Sequence, residues 1–157
     1  MCKSDIADAF RLIPLHPSQY PLTGLKVNEQ YYYDRTLPMG SRSACRMFER
    51  FSSGLQFILE SSYQVSYSVK MQDDFLFLGY SASDAQRYLD CFTHLCNKLG
   101  VPIASHRTLG PTTNLTFLGI ELDTKTRQAS LPKDKIAKYR EPLNSFSNHT
   151  IVARSLS

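Results

Sequence analysis

The chain has 157 residues, 42% hydrophobic and 20% charged, with a formal charge of +4 and a pI near 8.9. That is one ordinary globular domain's worth of sequence, and its small basic excess leans towards an anionic partner no more strongly than towards plain solvated surface. Cys2, Cys45, Cys91 and Cys96 are too scattered for a disulfide scaffold, and neither an apolar signal segment nor a run approaching the roughly 20 residues of a membrane span is present.

These features predict reduced thiols and an intracellular protein, cytoplasmic or nuclear. Cys91, His94 and Cys96 point in different directions if helical, and no second ligand pair follows them, which argues against zinc. The sequons at Asn114 and Asn148 are chance matches without a secretion signal.

In chain order, a short strand ending near Asp5 turns into a helical turn around Ala9, Phe10, Leu12 and Ile13, and Pro14 and Pro17 stop any helix there. An acid-bearing strand so close to residue 1 has no preceding segment to cover its flank, as expected of a fragment. Leu22 to Val27 and Tyr31 to Thr36 form a hairpin across Asn28-Glu29-Gln30, ended by Leu37-Pro38-Met39-Gly40. Ser41 or Ser43 caps a helix carrying Ala44, Met47, Phe48, Phe51, Leu55 and Ile58, with Gly54 costing about 1 kcal/mol inside it.

From Tyr63 to Met71 apolar residues alternate with Ser62, Gln64, Ser66, Ser68 and Lys70, the mark of a strand with one buried face. Phe75-Leu76-Phe77-Leu78 is wholly apolar and reads as a strand buried on both faces, so Asp73 and Asp74 sit at a hairpin tip. Two adjacent carboxylates between hydrophobic strands repel, and a hard divalent ion relieves them. A solvated Asp-Asp turn is the competing account.

Ser83 then caps a helix with Ala85, Tyr88, Leu89, Phe92, Leu95, Cys96 and Leu99 on one side and Gly100 as its stop. A loop holding His106 and Arg107 leads to Leu115–Asp123, which pairs with Gln128–Leu131 across Thr124–Arg127. Pro132 opens a last helix with Ile136, Ala137, Tyr139 and Leu143, and Ser145 to Ser157 is polar and frayed. Helices interleaved with hairpin-joined strands predict an α+β palm, a mainly antiparallel sheet with helices on one face. Placing the Asp5 strand beside the Asp73-Asp74 hairpin brings three carboxylates together.

In that order the motifs resemble a reverse transcriptase palm, an RNA-directed DNA polymerase. Lys3–Phe10 resembles its first motif, Leu37–Ser41 the second, Met71–Asp74 the paired-aspartate third, and Leu99–Ala104 with Gly110–Thr113 the fourth region. Leu115–Ile120 resembles the hairpin that grips the primer. The LPMGSRSACRMFERFS and GPTTNLTFLGIELDT runs are most similar to the tyrosine-recombinase (DIRS-like) class of retrotransposons.

The resemblance implies a palm over 1–131, the start of a thumb or connecting helix over 132–146, and a tail over 147–157, with fingers largely absent. It implies two Mg²⁺ ions (Mn²⁺ being an alternative) roughly 3.5 to 4 Å apart, held by Asp5, Asp73, Asp74 and the Ile6 carbonyl, that add deoxynucleotides to a primer 3′-hydroxyl on an RNA or DNA template. Asp8, Ala9, Phe10, Met39 and Gly40 lie at the incoming nucleotide. Phe10 excludes a ribose 2′-hydroxyl unless it is simply core, and Gly40 is needed for close backbone approach. Phe117, Leu118, Gly119 and Ile120 form the primer grip, and scattered Lys and Arg hold sugar and phosphate irrespective of sequence.

The chain departs from the family in three places. Met71 replaces an aromatic residue, Ser105-His106-Arg107 stands where a lysine often protonates pyrophosphate, leaving His106 or Arg107 as substitute acid, and the basic fingers are missing. Two other function classes follow from this. One is a truncated or domesticated palm that binds nucleic acid or protein without catalysis. The other is an unrelated Mg²⁺-dependent nuclease or phosphatase, which leaves Phe10 and the ordered motifs unexplained.

Overall fold

Phe75, Leu76 and Phe77 are all buried because their strand is the middle one of three. The computed structural model describes residues 1–147, which fall into two compact units, Met1–Thr112 and a second beginning at Thr113. In the first unit the order is β1 (Cys2–Asp5), β2 (Gly24–Val27), β3 (Gln30–Tyr33), α1 (Ala44–Tyr63), β4 (Ser68–Met71), β5 (Asp74–Phe77) and α2 (Ala82–Leu99). Short 3-10 turns span Ala9–Leu12, Pro17–Thr23 and Ser105–Arg107.

The main sheet is antiparallel in the order β1-β5-β4, with Asp5 opposite Asp74 and Met71 opposite Asp74. Opposed residues share a face and faces alternate along each strand. By this register Cys2, Ser4, Phe75, Phe77, Ser68 and Lys70 look towards the helices, while Lys3, Asp5, Asp74, Leu76, Val69 and Met71 share the other face. On the helix side Phe92 of α2 closes on Phe75 at 4.6 Å and Phe77 at 5.4 Å between ring centroids. Each such buried ring contributes roughly 1.5–3 kcal/mol by leaving water. Phe48, Leu55 and Leu59 of α1 complete this core.

Several expectations are corrected. The alternation from Tyr63 to Met71 is a strand only at its end: α1 runs on to Tyr63, closed by Gln64 at φ 55°. Its phase is also reversed, since Tyr67, Val69 and Met71 are about half exposed and the Lys70 side chain is only 5% exposed. The polar set turns inwards because α1 supplies partners: Gln56 Nε2 donates to the Ser68 carbonyl at 3.1 Å, and Glu49 pairs with Lys70. Helix α2 is capped by Ser81 and not Ser83, because Ser81 and Asp84 satisfy each other's backbone N–H in a capping box. Gly100 ends it at φ 70° as expected.

The first helical turn ends at Leu12, ahead of Pro14 as expected, and Pro17 opens the next 3-10 turn, where its missing N–H would have had no intrahelical partner. The β2–β3 turn is the two residues Asn28 and Glu29, at φ 49° and 64°, so Gln30 joins β3. The flank of β1 is covered from later in the chain, by a bridge between Lys3 and Leu109 and another between Ile6 and Ile103.

The second unit is a meander of β6 (Asn114–Phe117), β7 (Ile120–Asp123) and β8 (Gln128–Ser130), followed by α3 (Lys133–Ser147). Leu115–Asp123 contains a hairpin, as the resemblance implied for Leu115–Ile120, and is not one continuous segment pairing with Gln128–Leu131: Leu118 at φ 48° and Gly119 at φ 79° form a two-residue turn that folds β7 back on β6. The β7–β8 pairing is as expected, its turn held by the Asp123 carboxylate accepting from the Lys125 and Thr126 N–H groups. Residues 148–157, most of the segment expected to fray, lie outside the described residues, as does the Leu143 side chain.

Candidate functional site

The backbone places Asp5, Asp73 and Asp74 at one end of the β1-β5-β4 sheet. Asp5 ends β1, Asp74 begins β5 directly opposite it, and Asp73 precedes Asp74 in the turn. The Asp73 carbonyl accepts from the Ile6 N–H at 3.1 Å, tying the turn to the end of β1. Asp5 is 2% exposed. Its Oδ2 accepts from Arg107 at 2.8 Å, while its Oδ1 is buried without a fixed donor.

Burial raises the Asp5 carboxyl above the ordinary aspartate range; the Arg107 guanidinium opposes that shift, and the charges of Asp73 and Asp74 reinforce it. Asp74 is also raised, again by burial first and then by Asp73, against the pull of Arg107 and Lys3. The interaction between the two pushes Asp5 up and Asp74 down. A buried, acceptor-only oxygen beside mutually repelling carboxylates is a donor set suited to a hard cation. Among the described residues, no three His, Cys, Asp or Glu side chains already converge as a ligand group.

The tip itself is braced from α1. Glu49 Oε1 pairs with Lys70 Nζ, and Glu49 Oε2 accepts from the Gln72 N–H at 3.0 Å. The Lys70 hydrogen bond, chiefly, holds the Glu49 carboxyl below the ordinary glutamate range, with the Gln72 N–H helping against partial burial. Neither Glu49 nor Lys70 stood out in the sequence. Lys70 reads as the polar half of an alternation, and Glu49 as one charge on an amphipathic helix.

The other singled-out residues distribute unevenly. Asp8 is exposed at φ 51° and its carbonyl accepts from the Arg11 N–H at 2.7 Å. Ala9 is buried in the core and Phe10 packs its ring 5.4 Å from that of Phe48, so both also serve the core. Met39 is 79% exposed. Gly40 lies at φ 86° with open space where a Cβ would stand; backbone conformation, and not crowding within the chain, accounts for the glycine.

His106 and Arg107 are exposed and line a cavity of about 340 Å³ with Lys3, Ser4, Asp74, Thr108 and Leu109. Phe117, Leu118, Gly119 and Ile120 form the β6–β7 turn of the second unit, with Leu118 and Ile120 exposed at 48% and 43%. The Lys135 ammonium donates to the Gly119 carbonyl at 3.3 Å. Among the described residues no helix is long and apolar enough to cross a membrane.

Known proteins share both this fold and this sequence pattern. The chain is 28% identical to the Gag-Pro-Pol polyprotein of Mason-Pfizer monkey virus, aligning over 90% of its own length and 8% of that relative. It is also 28% identical to Protein P of Duck hepatitis B virus (strain China), over 77% of this chain and 15% of the relative. The chain thus spans a small part of the curated relatives it matches. Its fold is shared with the foamy viral protease-reverse transcriptase solved in complex with RNA/DNA hybrid, at a TM-score of 0.77 and 16% identity, over 93% of this chain and 20% of that one. The same viral protein in complex with double-stranded DNA gives 0.76 and 16% over 95% and 24%. A family model described as reverse transcriptase (RNA-dependent DNA polymerase) matches residues 1–122, well over half of the sequence, and the chain belongs to that family.

Proposed function

We propose that this chain is the palm part of an RNA-directed DNA polymerase, with residues 1–131 forming the palm and 132–146 beginning a thumb or connecting helix. The observation that carries this reading is the register of β1 on β5, which sets Asp5 opposite Asp74 with Asp73 beside them. Asp5 and Asp73 act as principal ligands, Asp74 as a further ligand or charge partner, and the Ile6 carbonyl completes one shell. Bound there, two Mg²⁺ or Mn²⁺ ions would lower the pKa of a primer 3′-hydroxyl and offset charge on the departing pyrophosphate.

The remaining work falls to the chain itself. Asp8 and the Ala9 backbone lie beside the triphosphate, Phe10 excludes a 2′-hydroxyl, and Met39 and Gly40 flank the nucleotide and template. Residues 117–120 grip the primer. His106 or Arg107, exposed on the cavity beside Asp74, supplies positive charge or a proton to pyrophosphate. Template and primer, as RNA or DNA, and deoxynucleoside triphosphates are the partners; the foamy viral complexes with RNA/DNA hybrid and double-stranded DNA support this by fold. Membership of the tyrosine-recombinase (DIRS-like) retrotransposon class rests on the LPMGSRSACRMFERFS and GPTTNLTFLGIELDT runs alone.

The ion pair from Arg107 to Asp5 favours one second reading, a palm that binds nucleic acid or protein without catalysis, since a guanidinium there already sets a positive charge beside Asp5. Primer extension on an RNA template with Mg²⁺ and deoxynucleotides separates the two. Extension that Asp73→Asn abolishes supports the polymerase. No extension, with template binding untouched by the substitution, supports the binding module.

A further inference from the structure

The turn that carries Asp73 and Asp74 is not held by its own hairpin alone. Gln72 stands at φ 54°, the left-handed conformation that a two-residue hairpin turn calls for at its first position. A group on α1 adds to that turn: Glu49 Oε2 accepts from the Gln72 N–H at 3.0 Å while Oε1 pairs with Lys70 Nζ. The Lys70 side chain is 5% exposed, so its ammonium has little water to turn to and depends on Glu49, whose carbonyl it also reaches at 3.5 Å.

The same helix holds the other end of β4. Gln56 Nε2 donates to both the carbonyl and the hydroxyl of Ser68, at 3.1 and 3.2 Å. Glu49 and Gln56 are seven residues apart, two helical turns or about 10.5 Å along one side of α1. Ser68 to Met71, the residue before Gln72, covers about 10 Å of extended chain. The two spans match, and the helix is clamped along the strand with Glu49 at the acidic end. Charge is balanced too: a lone Glu49 would add a negative charge near the acidic cluster, and Lys70 cancels it.

We propose that Glu49 is the positioning residue of the acidic turn: through Lys70 and the Gln72 N–H it fixes the backbone that aims Asp73 and Asp74 towards Asp5. This rests on the polymerase reading for its purpose, but not for its geometry. Glu49 touches no substrate or metal in this scheme; it acts through the turn. A glutamine there keeps an acceptor for Gln72 N–H and loses the ionic bond; an alanine loses both.

The test uses the full chain as wild type, Glu49→Gln and Glu49→Ala, with circular dichroism confirming that α1 and α2 persist. Without metal, amide hydrogen exchange is read at Gln72. Loss of its hydrogen bond in Glu49→Ala is expected to speed exchange there roughly fivefold to tenfold, with α1 and α2 amides unchanged. In Glu49→Gln it should stay within about threefold of wild type. Mn²⁺ affinity should follow the same order, falling about tenfold or more in Glu49→Ala, the loss typical when support behind a ligand is removed. Equal exchange at Gln72 in all three proteins overturns the proposal, as does Mn²⁺ affinity unchanged in Glu49→Ala. If the wild type binds no Mn²⁺, the polymerase reading fails and the Gln72 exchange rates alone decide the positioning role.

Discussion

Removing the Arg107 guanidinium tests the electrostatics of the acidic cluster. Asp5 is buried, accepts from Arg107 at 2.8 Å and leaves its second oxygen without a donor. A charge-assisted hydrogen bond contributes roughly 1.5–3 kcal/mol net. Because the Arg107 side chain is 58% exposed, water screens part of that, and Arg107→Ala should cost about 1–2 kcal/mol at neutral pH. At this chain length that corresponds to a melting temperature lower by roughly 2–8 °C.

The pH dependence has a definite sign. Burial raises Asp5 above its ordinary value of 3.8 and Arg107 opposes the rise. The folded chain therefore takes up this proton more readily than the unfolded chain, so ionised Asp5 costs stability at neutral pH. That cost fades as pH falls through the folded pKa and is gone below the unfolded one. Without Arg107 the folded pKa climbs further, so the variant's deficit should be largest at neutral pH and close on acidification. Urea unfolding of both proteins from about pH 8 to pH 4 reads it directly. No deficit at neutral pH, or one that is constant across this range, refutes the reasoning.

Three further outcomes follow from the same structure. Asp74→Asn removes a carboxylate that burial and Asp73 hold above its ordinary range; it should melt higher than wild type at neutral pH, the gap closing in acid as wild-type Asp74 takes its proton. Phe92→Ala, emptying the space against Phe75 and Phe77, should cost about 3–5 kcal/mol in guanidinium unfolding. The Cys96 thiol, pushed up to about 12 by burial, should resist a thiol reagent in the folded chain while exposed Cys45 reacts, and should react once the chain is denatured.

The sequence disclosed most of the fold because its strongest signals were local. The apolar run at Phe75–Phe77 became a central strand, and the Phe92-centred stripe ending at Gly100 became α2. It misled where a local pattern was overruled by a distant partner. The alternation around Val69 and Lys70 looked like a strand with its apolar side inwards, but Glu49 and Gln56 on α1 drew the polar side in. Two adjacent left-handed residues, Leu118 and Gly119, broke a strand that composition alone joins.

At the site, the acids were legible because Asp73-Asp74 between apolar runs demands an explanation and Asp5 lies on a strand able to pair there. Their supports were not. Asp5 and Arg107 are 102 residues apart and Glu49 and Lys70 are 21 apart, separations at which no sequence period speaks. Gly40 was read as a close-approach glycine, and its φ of 86° is a further, independent reason for glycine there.

A polymerase palm would use the end of β1 and the β4–β5 turn as one divalent-ion site. Mn²⁺ titrated into the isotope-labelled chain broadens amide signals near wherever it binds. Asp5, Ile6, Asp73 and Asp74 are expected to broaden together, and Asp73→Asn to weaken the effect at all four. Broadening confined to one of the two segments, or located elsewhere and indifferent to that substitution, would contradict it.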